Sequence, residues 1–182
     1  MRILDIIISF FGLLLLLPLI SLIGLICYLE TGSVFYFQTR VGRNKKNFIL
    51  IKFPTMKKEA PLVATHLIDP VFITKTGKII RRIKLDELPQ LFNVLIGEMS
   101  LVGPRPCLPN QKILISEREK RGIFNYLPGI TGIAQINNID MSDPVRLAYY
   151  DEIMVNNLNI KNYFRCIILT ILGKGVGDKV RA

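Results

Sequence analysis

The segment Arg81-Arg82-Ile83-Lys84-Leu85-Asp86-Glu87-Leu88-Pro89 places two adjacent carboxylates directly behind three cations. As local structure, it reads as a helix start: Asp86 an N-cap, Glu87 a first-turn acid suited to the macrodipole, Pro89 tolerated in the first turn. As chemistry, the same geometry holds anions, because free N–H groups and neighbouring cations neutralise a phosphate approaching the carboxylates. Adjacent carboxylates can also share a Mg²⁺ ion that binds substrate phosphates at the same time. A second segment, Met99-Ser100-Leu101-Val102-Gly103-Pro104-Arg105-Pro106, sets an arginine between two prolines. Pro104 and Pro106 make the turn stiff and fix where the Arg105 guanidinium points, which suits planar recognition of phosphate or of a pyrimidine edge.

Other reactive side chains carry less. His66 stands alone in a polar neighbourhood and reads as a surface or capping residue. Cys27, Cys107 and Cys166 are far apart with no C-x-x-C, which argues against a disulfide framework or a structural zinc site and for a reducing compartment. Cys107 reads as a small packed thiol. Gly173-Lys174-Gly175-Val176-Gly177 has neither Walker nor dinucleotide spacing and reads as a helix stop.

These residues must be positioned by 182 residues that are half apolar and carry a formal charge of +10. That length supports one modest domain plus an appendage, and the composition excludes a disordered polyelectrolyte. Strands are expected over residues 34–39 and 48–53, joined through Gly42-Arg43-Asn44-Lys45. Helices are expected over 77–83, 86–96 and 110–121, a strand over 133–137 after Pro128-Gly129-Ile130-Thr131-Gly132, and a helix capped by Ser142-Asp143-Pro144 running to about residue 156. In the last helix Ile160, Phe164, Ile167, Ile168, Ile171 and Leu172 share one face beside Lys161 and Arg165, a pattern fitting either a headgroup-level helix or a core-facing one.

The appendage is apolar. From Ile6 to Leu29 there are 24 consecutive uncharged positions, which as one straight helix would measure about 36 Å, enough to cross a bilayer core of about 30 Å. Pro18 divides the run into pieces of about 18 Å, neither able to span alone. Arg2 precedes the run, and Arg40, Arg43, Lys45, Lys46, Lys52, Lys57 and Lys58 follow it, so both flanks favour the cytoplasmic face. A hairpin turning at Pro18 and a tilted single span both remain open on these residues. The basic surplus follows a bilayer segment, and no nucleic-acid-binding pattern is present, so anionic membrane lipids and phosphate ligands are the expected partners, with no nucleic acid.

In combination, Lys84-Leu85-Asp86-Glu87-Leu88-Pro89-Gln90, Met99-to-Pro106, the Pro-Gly-Ile-Thr-Gly turn and the terminal amphipathic helix resemble the small monotopic phosphoglycosyl transferases, bacterial enzymes that start glycan assembly on polyprenyl phosphate. The resemblance covers nearly the whole chain. It implies a mainly helical α+β fold, with residues 1–30 a re-entrant membrane helix broken at Pro18 and residues 31–182 a membrane-associated catalytic domain on the cytoplasmic face of the bacterial inner membrane. By resemblance Asp86 is the nucleophile toward a UDP-sugar, Glu87 holds Mg²⁺, polyprenyl (undecaprenyl) phosphate is the acceptor, and Lys52, Arg81 and Arg105 position phosphate or nucleotide. Asp151 fits an acidic position of the family and, with Pro104, Pro106 and Arg146, is expected among the substrate-binding residues.

The chain also departs from that pattern. Pro54 stands where the family usually has arginine, Asn137-Asn138-Ile139-Asp140 lacks another arginine, for which Arg146 is the candidate substitute, and Tyr163 falls where Asp is common. The contrasting reading is a non-catalytic membrane anchor or scaffold that docks a partner enzyme. Self-association into a homo-oligomer is compatible with either.

Overall fold

A computed structural model describes residues 1–57, 59–60 and 69–175; His66, Val176 and Gly177 lie outside them. The apolar run forms one α-helix, α1 (Arg2–Thr31). Its buried positions Asp5, Ser9, Leu13, Ile20, Ile23, Gly24, Cys27 and Thr31 recur at helical spacing and make a single stripe. That stripe packs on Phe53, Leu91, Val94 and Met99, while Phe11, Leu15, Leu22 and Leu29 on the other side stay exposed. An apolar surface of that extent marks contact with a bilayer or a partner. The expected break at Pro18 is not present, because the helix continues through it. Proline removes the N–H that would reach the Leu14 carbonyl, and the Ser21 hydroxyl, donating to the Leu17 carbonyl at 2.9 Å, adds a bond in the turn that follows.

Strands β1 (Tyr36–Val41) and β2 (Asn47–Lys52) pair antiparallel with Thr39 opposite Ile49, each displaced slightly from its expected span. Asn44 and Lys45 adopt positive φ in the connection. Helix α2 (Lys75–Arg82) is capped by Thr74, whose hydroxyl accepts from Gly77 N–H at 2.9 Å. Then come α3 (Gln90–Ile96), β3 (Ser100–Val102), α4 (Lys112–Lys120), β4 (Gly129–Thr131), α5 (Ile133–Ile136), α6 (Pro144–Asn156) and α7 (Ile160–Ile171). The Asp143 cap of α6 is formed as expected, accepting from Arg146 N–H at 3.1 Å.

Two expectations are corrected. The helix expected over 86–96 is a 3₁₀ turn, Leu85–Glu87, followed by the shorter α3. Lys84 turns the chain there with φ of 58°, so Asp86 is inside the turn rather than capping a helix. The strand expected over 133–137 is the helical α5, and the strand lies earlier, in β4, which pairs parallel with β3. Glycine decides this: a Cβ on Gly129 would sit 2.0 Å from the Gly103 nitrogen, so only a glycine lets the two backbones meet. Beyond Gly132 the chain is free to helix, which buries Ala134 against Leu147 and Ala148.

Candidate active site

In a 3₁₀ turn, residues three apart eclipse one another. Leu85 and Leu88 both pack on the core beneath the turn, so Asp86 and Glu87 between them are turned to the other side. There they line a cleft together with Arg40, Leu50, Lys52, Arg81, Lys84, Gln90, Arg105 and Pro106. The end of β2 holds this turn in place, since Phe53 N–H donates to the Asp86 carbonyl at 3.0 Å. That bond also brings Lys52 into the cleft, with its Nζ 5.3 Å from the centre of the Tyr36 ring.

Arg105 approaches from the opposite wall and donates from Nη1 to Glu87 Oε1 at 2.8 Å. Its turn is locked through backbone carbonyls, as a proline-rich segment short of N–H donors requires. Arg118 Nη1 donates to the Arg105 carbonyl at 2.8 Å, Arg40 Nη1 to that of Pro106 at 2.9 Å, and Gly129 N–H to that of Pro104 at 2.9 Å. Arg118 is itself buried, at 2% exposure, and bonds through Nε and Nη2 to Asp151 Oδ2 at 2.9 and 2.7 Å.

Five cations and two carboxylates share the cleft wall, an imbalance suited to a ligand with several negative charges. Burial pushes the Lys52 ammonium down to about 8, aided by the Arg40 charge and opposed by Asp86. Burial pushes the Asp86 carboxyl up to about 6, aided by Glu87 and opposed by Lys52, Arg81 and Arg105. Asp86 thus has little water and several cations around it, an environment in which a carboxylate can meet a phosphate.

The structure therefore gathers Lys52, Arg81, Asp86, Glu87, Arg105 and Pro106 into one cleft. Pro104 is in the turn behind it. Two expected ligand contacts fall elsewhere. Asp151 is buried at 1% exposure and faces Arg118, so it braces the Arg105 turn instead of meeting a ligand. Arg146 is exposed on α6 beside the Tyr150 ring and is not among the residues that line the cleft. Pro54 is buried, and Tyr163 is buried against Asp5. Arg40, Gln90 and Arg118 were not singled out from sequence. The inward charge of Arg40 among β1 residues was the available signal, whereas Arg118 sits in a run of charges that reads as a solvated helix face.

The family description "Bacterial sugar transferase" matches residues 1–174. The chain belongs to the bacterial sugar transferase family. It is 50% identical over 110 residues to the uncharacterised sugar transferase EpsL of Bacillus subtilis (strain 168), covering 60% of this chain and 54% of EpsL. It is 43% identical over 146 residues to the undecaprenyl-phosphate glucose phosphotransferase of Komagataeibacter xylinus, covering 75% of this chain and 27% of that protein. It is 34% identical over 181 residues to the undecaprenyl-phosphate galactose phosphotransferase of Salmonella typhimurium, covering 88% of this chain and 37% of that protein. This bacterial sugar transferase thus spans only part of the length of each of these relatives.

Proposed function

We propose that the chain transfers a sugar 1-phosphate from a UDP-sugar to polyprenyl phosphate, releasing UMP, at the cytoplasmic face of the bacterial inner membrane. The observation that carries this reading is the Asp86 carboxyl group set among five cations in a cleft, in a domain that carries a long apolar helix. An Asp86 oxygen attacks the phosphorus that bears the sugar, and the P–O bond to UMP breaks. Lys52, Arg81 and Arg105 hold the charge that develops on the departing phosphate. A phosphate oxygen of the lipid then attacks the same phosphorus, and the Asp86 carboxylate leaves unchanged. Two displacements allow two anionic substrates to use one cleft in turn.

Mg²⁺ fits these residues as an ion carried in with the diphosphate. Among the described residues no three His, Cys, Asp or Glu side chains cluster, and Mg²⁺ characteristically takes one or two carboxylates plus substrate phosphates. Glu87 is the carboxylate assigned to it, and the ion supplies neutralisation of diphosphate charge. Both ends of helix α1 stay on the domain's own side of the membrane; this is supported by Arg2 bonded to the Leu95 and Met99 carbonyls at one end and Glu30 accepting from Thr76 N–H at the other.

The test is Asp86→Asn, which keeps the side chain's size but has no anionic oxygen. The variant is expected to fold, to release no UMP and to gain no mass, while the unmutated protein given UDP-sugar without acceptor gains one phosphosugar at Asp86 by intact-protein mass spectrometry. Chelation of Mg²⁺ is expected to abolish UMP release. A fully active Asp86→Asn protein, or an adduct on another residue, overturns the assignment, and a protein that never releases UMP supports the scaffold reading.

A further inference from the structure

The segment 100–106 carries Arg105 to the cleft, and its downstream end is braced by Arg40 and Arg118. Its upstream end is braced from an unexpected place, the first turn of the apolar helix. Asp5 is 2% exposed. Its Oδ1 accepts from Ser100 Oγ at 2.9 Å, from Leu101 N–H at 3.0 Å and from Tyr163 O–H at 2.7 Å, and its Oδ2 also lies 2.9 Å from Ser100 Oγ. On its other edge β3 is held by β4, through Ser100 N–H to the Pro128 carbonyl at 2.8 Å and Gly103 N–H to the Thr131 carbonyl at 2.9 Å. The Leu101 amide points away from β4, so the Asp5 carboxylate occupies the place a third strand would take.

Attachment of α1 needs no such group. Leu13, Ile20, Ile23 and Cys27 already bury an apolar stripe against the domain. A carboxylate there costs desolvation, offset by three donors and by the positive end of its own helix. What it adds is directional. Apolar contacts let a helix slide, whereas hydrogen bonds to a backbone amide and two hydroxyls fix β3 in register, four residues before Arg105.

We propose that Asp5 is a positioning residue for the transfer reaction: from within the membrane helix it holds β3, and through β3 the turn that aims Arg105. The helix is then part of the site's framework as well as its attachment. This inference rests on the transferase reading above and on Arg105 acting at substrate phosphate.

A double-mutant cycle tests it in the full chain in detergent or lipid. Asp5→Leu should leave recovery in the membrane fraction unchanged and lower kcat/KM for UMP release by about tenfold to a hundredfold, the usual cost of displacing a positioned group. Asp5→Asn, which keeps an acceptor oxygen, should recover part of that loss. In an Arg105→Ala background Asp5→Leu should cost less than about twofold, because its effect runs through the group already removed. Equal losses in both backgrounds overturn the proposal, as does an unimpaired Asp5→Leu protein. If Asp5→Leu fails to fold, Tyr163→Phe removes one donor and enters the same cycle.

Amide hydrogen exchange separates this inference from the transferase reading, because it needs no turnover. In Asp5→Asn, exchange should quicken at Leu101, Val102 and Gly103 and stay unchanged in α6. Faster exchange confined to the first turn of α1 overturns the inference even if UMP is released. Quickened exchange at 101–103 in a protein that releases no UMP leaves the bracing intact and overturns its link to the reaction.

Discussion

Lys52 and Arg118 show how differently two cations serve one site. Lys52 is held down to about 8 by burial and by Arg40. A lysine is charged below its pKa and neutral above it, so the attraction for diphosphate is present at neutral pH and is lost as pH rises through about 8. The kcat/KM for UDP-sugar should fall over that range, and Lys52→Arg, which stays charged, should move the fall to higher pH. An unchanged profile in Lys52→Arg would assign the titration to another group. Arg118 never meets the cleft, yet its three bonds join α4, α6 and the Arg105 turn. Arg118→Met strands the Asp151 carboxylate and should cost about 3–5 kcal/mol by denaturant midpoint. Pairing it with Asp151→Leu should recover most of that, since a buried pair replaced whole is far less costly than one broken. Asp86, Glu87 and Arg105 stood out in the sequence because short motifs carried them, whereas the partners that hold their turns, Phe53, Arg40, Arg118 and Gly129, come from distant parts of the chain and were not legible. Asp151 was noticed but misread as a ligand contact. Its partner lies 33 residues away, and a lone carboxylate in a helical stretch does not reveal that partner.

At the scale of elements, local signals succeeded and the close backbone crossing did not. The hairpin, α6 with its Asp143 cap and α7 follow from alternation, a capping residue and a repeating apolar face. Gly129-Ile130-Thr131 reads as a turn from composition, but it is a strand because Gly103 approaches it from a distant part of the chain. Gly129→Ala should therefore lower stability by about 1–3 kcal/mol through overpacking, read as a fall in Tm. Loss of UMP release should exceed loss of folded protein, because the same crossing seats the Pro104 carbonyl. Alanine at Gly173 is the control for glycine content alone: its φ of 82° makes that change mildly strained, but a Cβ there meets nothing within 4 Å.

At the scale of the whole molecule, both ends of α1 lie against the domain, and most of its outer face is apolar. Cys27, Cys107 and Cys166 are buried, so an Ile3→Cys thiol at a 74% exposed position reports topology against a quiet background. It should resist impermeant reagents applied to intact cells and react in everted vesicles; labelling from outside would establish a span. The composition made the long apolar helix legible, but its running unbroken through Pro18 was not, because proline's effect depends on what supports its turn. The bond from Tyr163 to Asp5 joins residues 158 apart, nearly the two extremes of the described chain. At ordinary synthesis rates Asp5 leaves the ribosome roughly 10–30 s before Tyr163 does. The apolar helix is therefore made well before α7, and its bond to Tyr163 closes long after its own synthesis. During that interval it must reach lipid without its clasp, so its seating on the domain is completed only when α7 emerges, and a nascent chain arrested before α7 should carry an N-terminal turn that exchanges its amides freely.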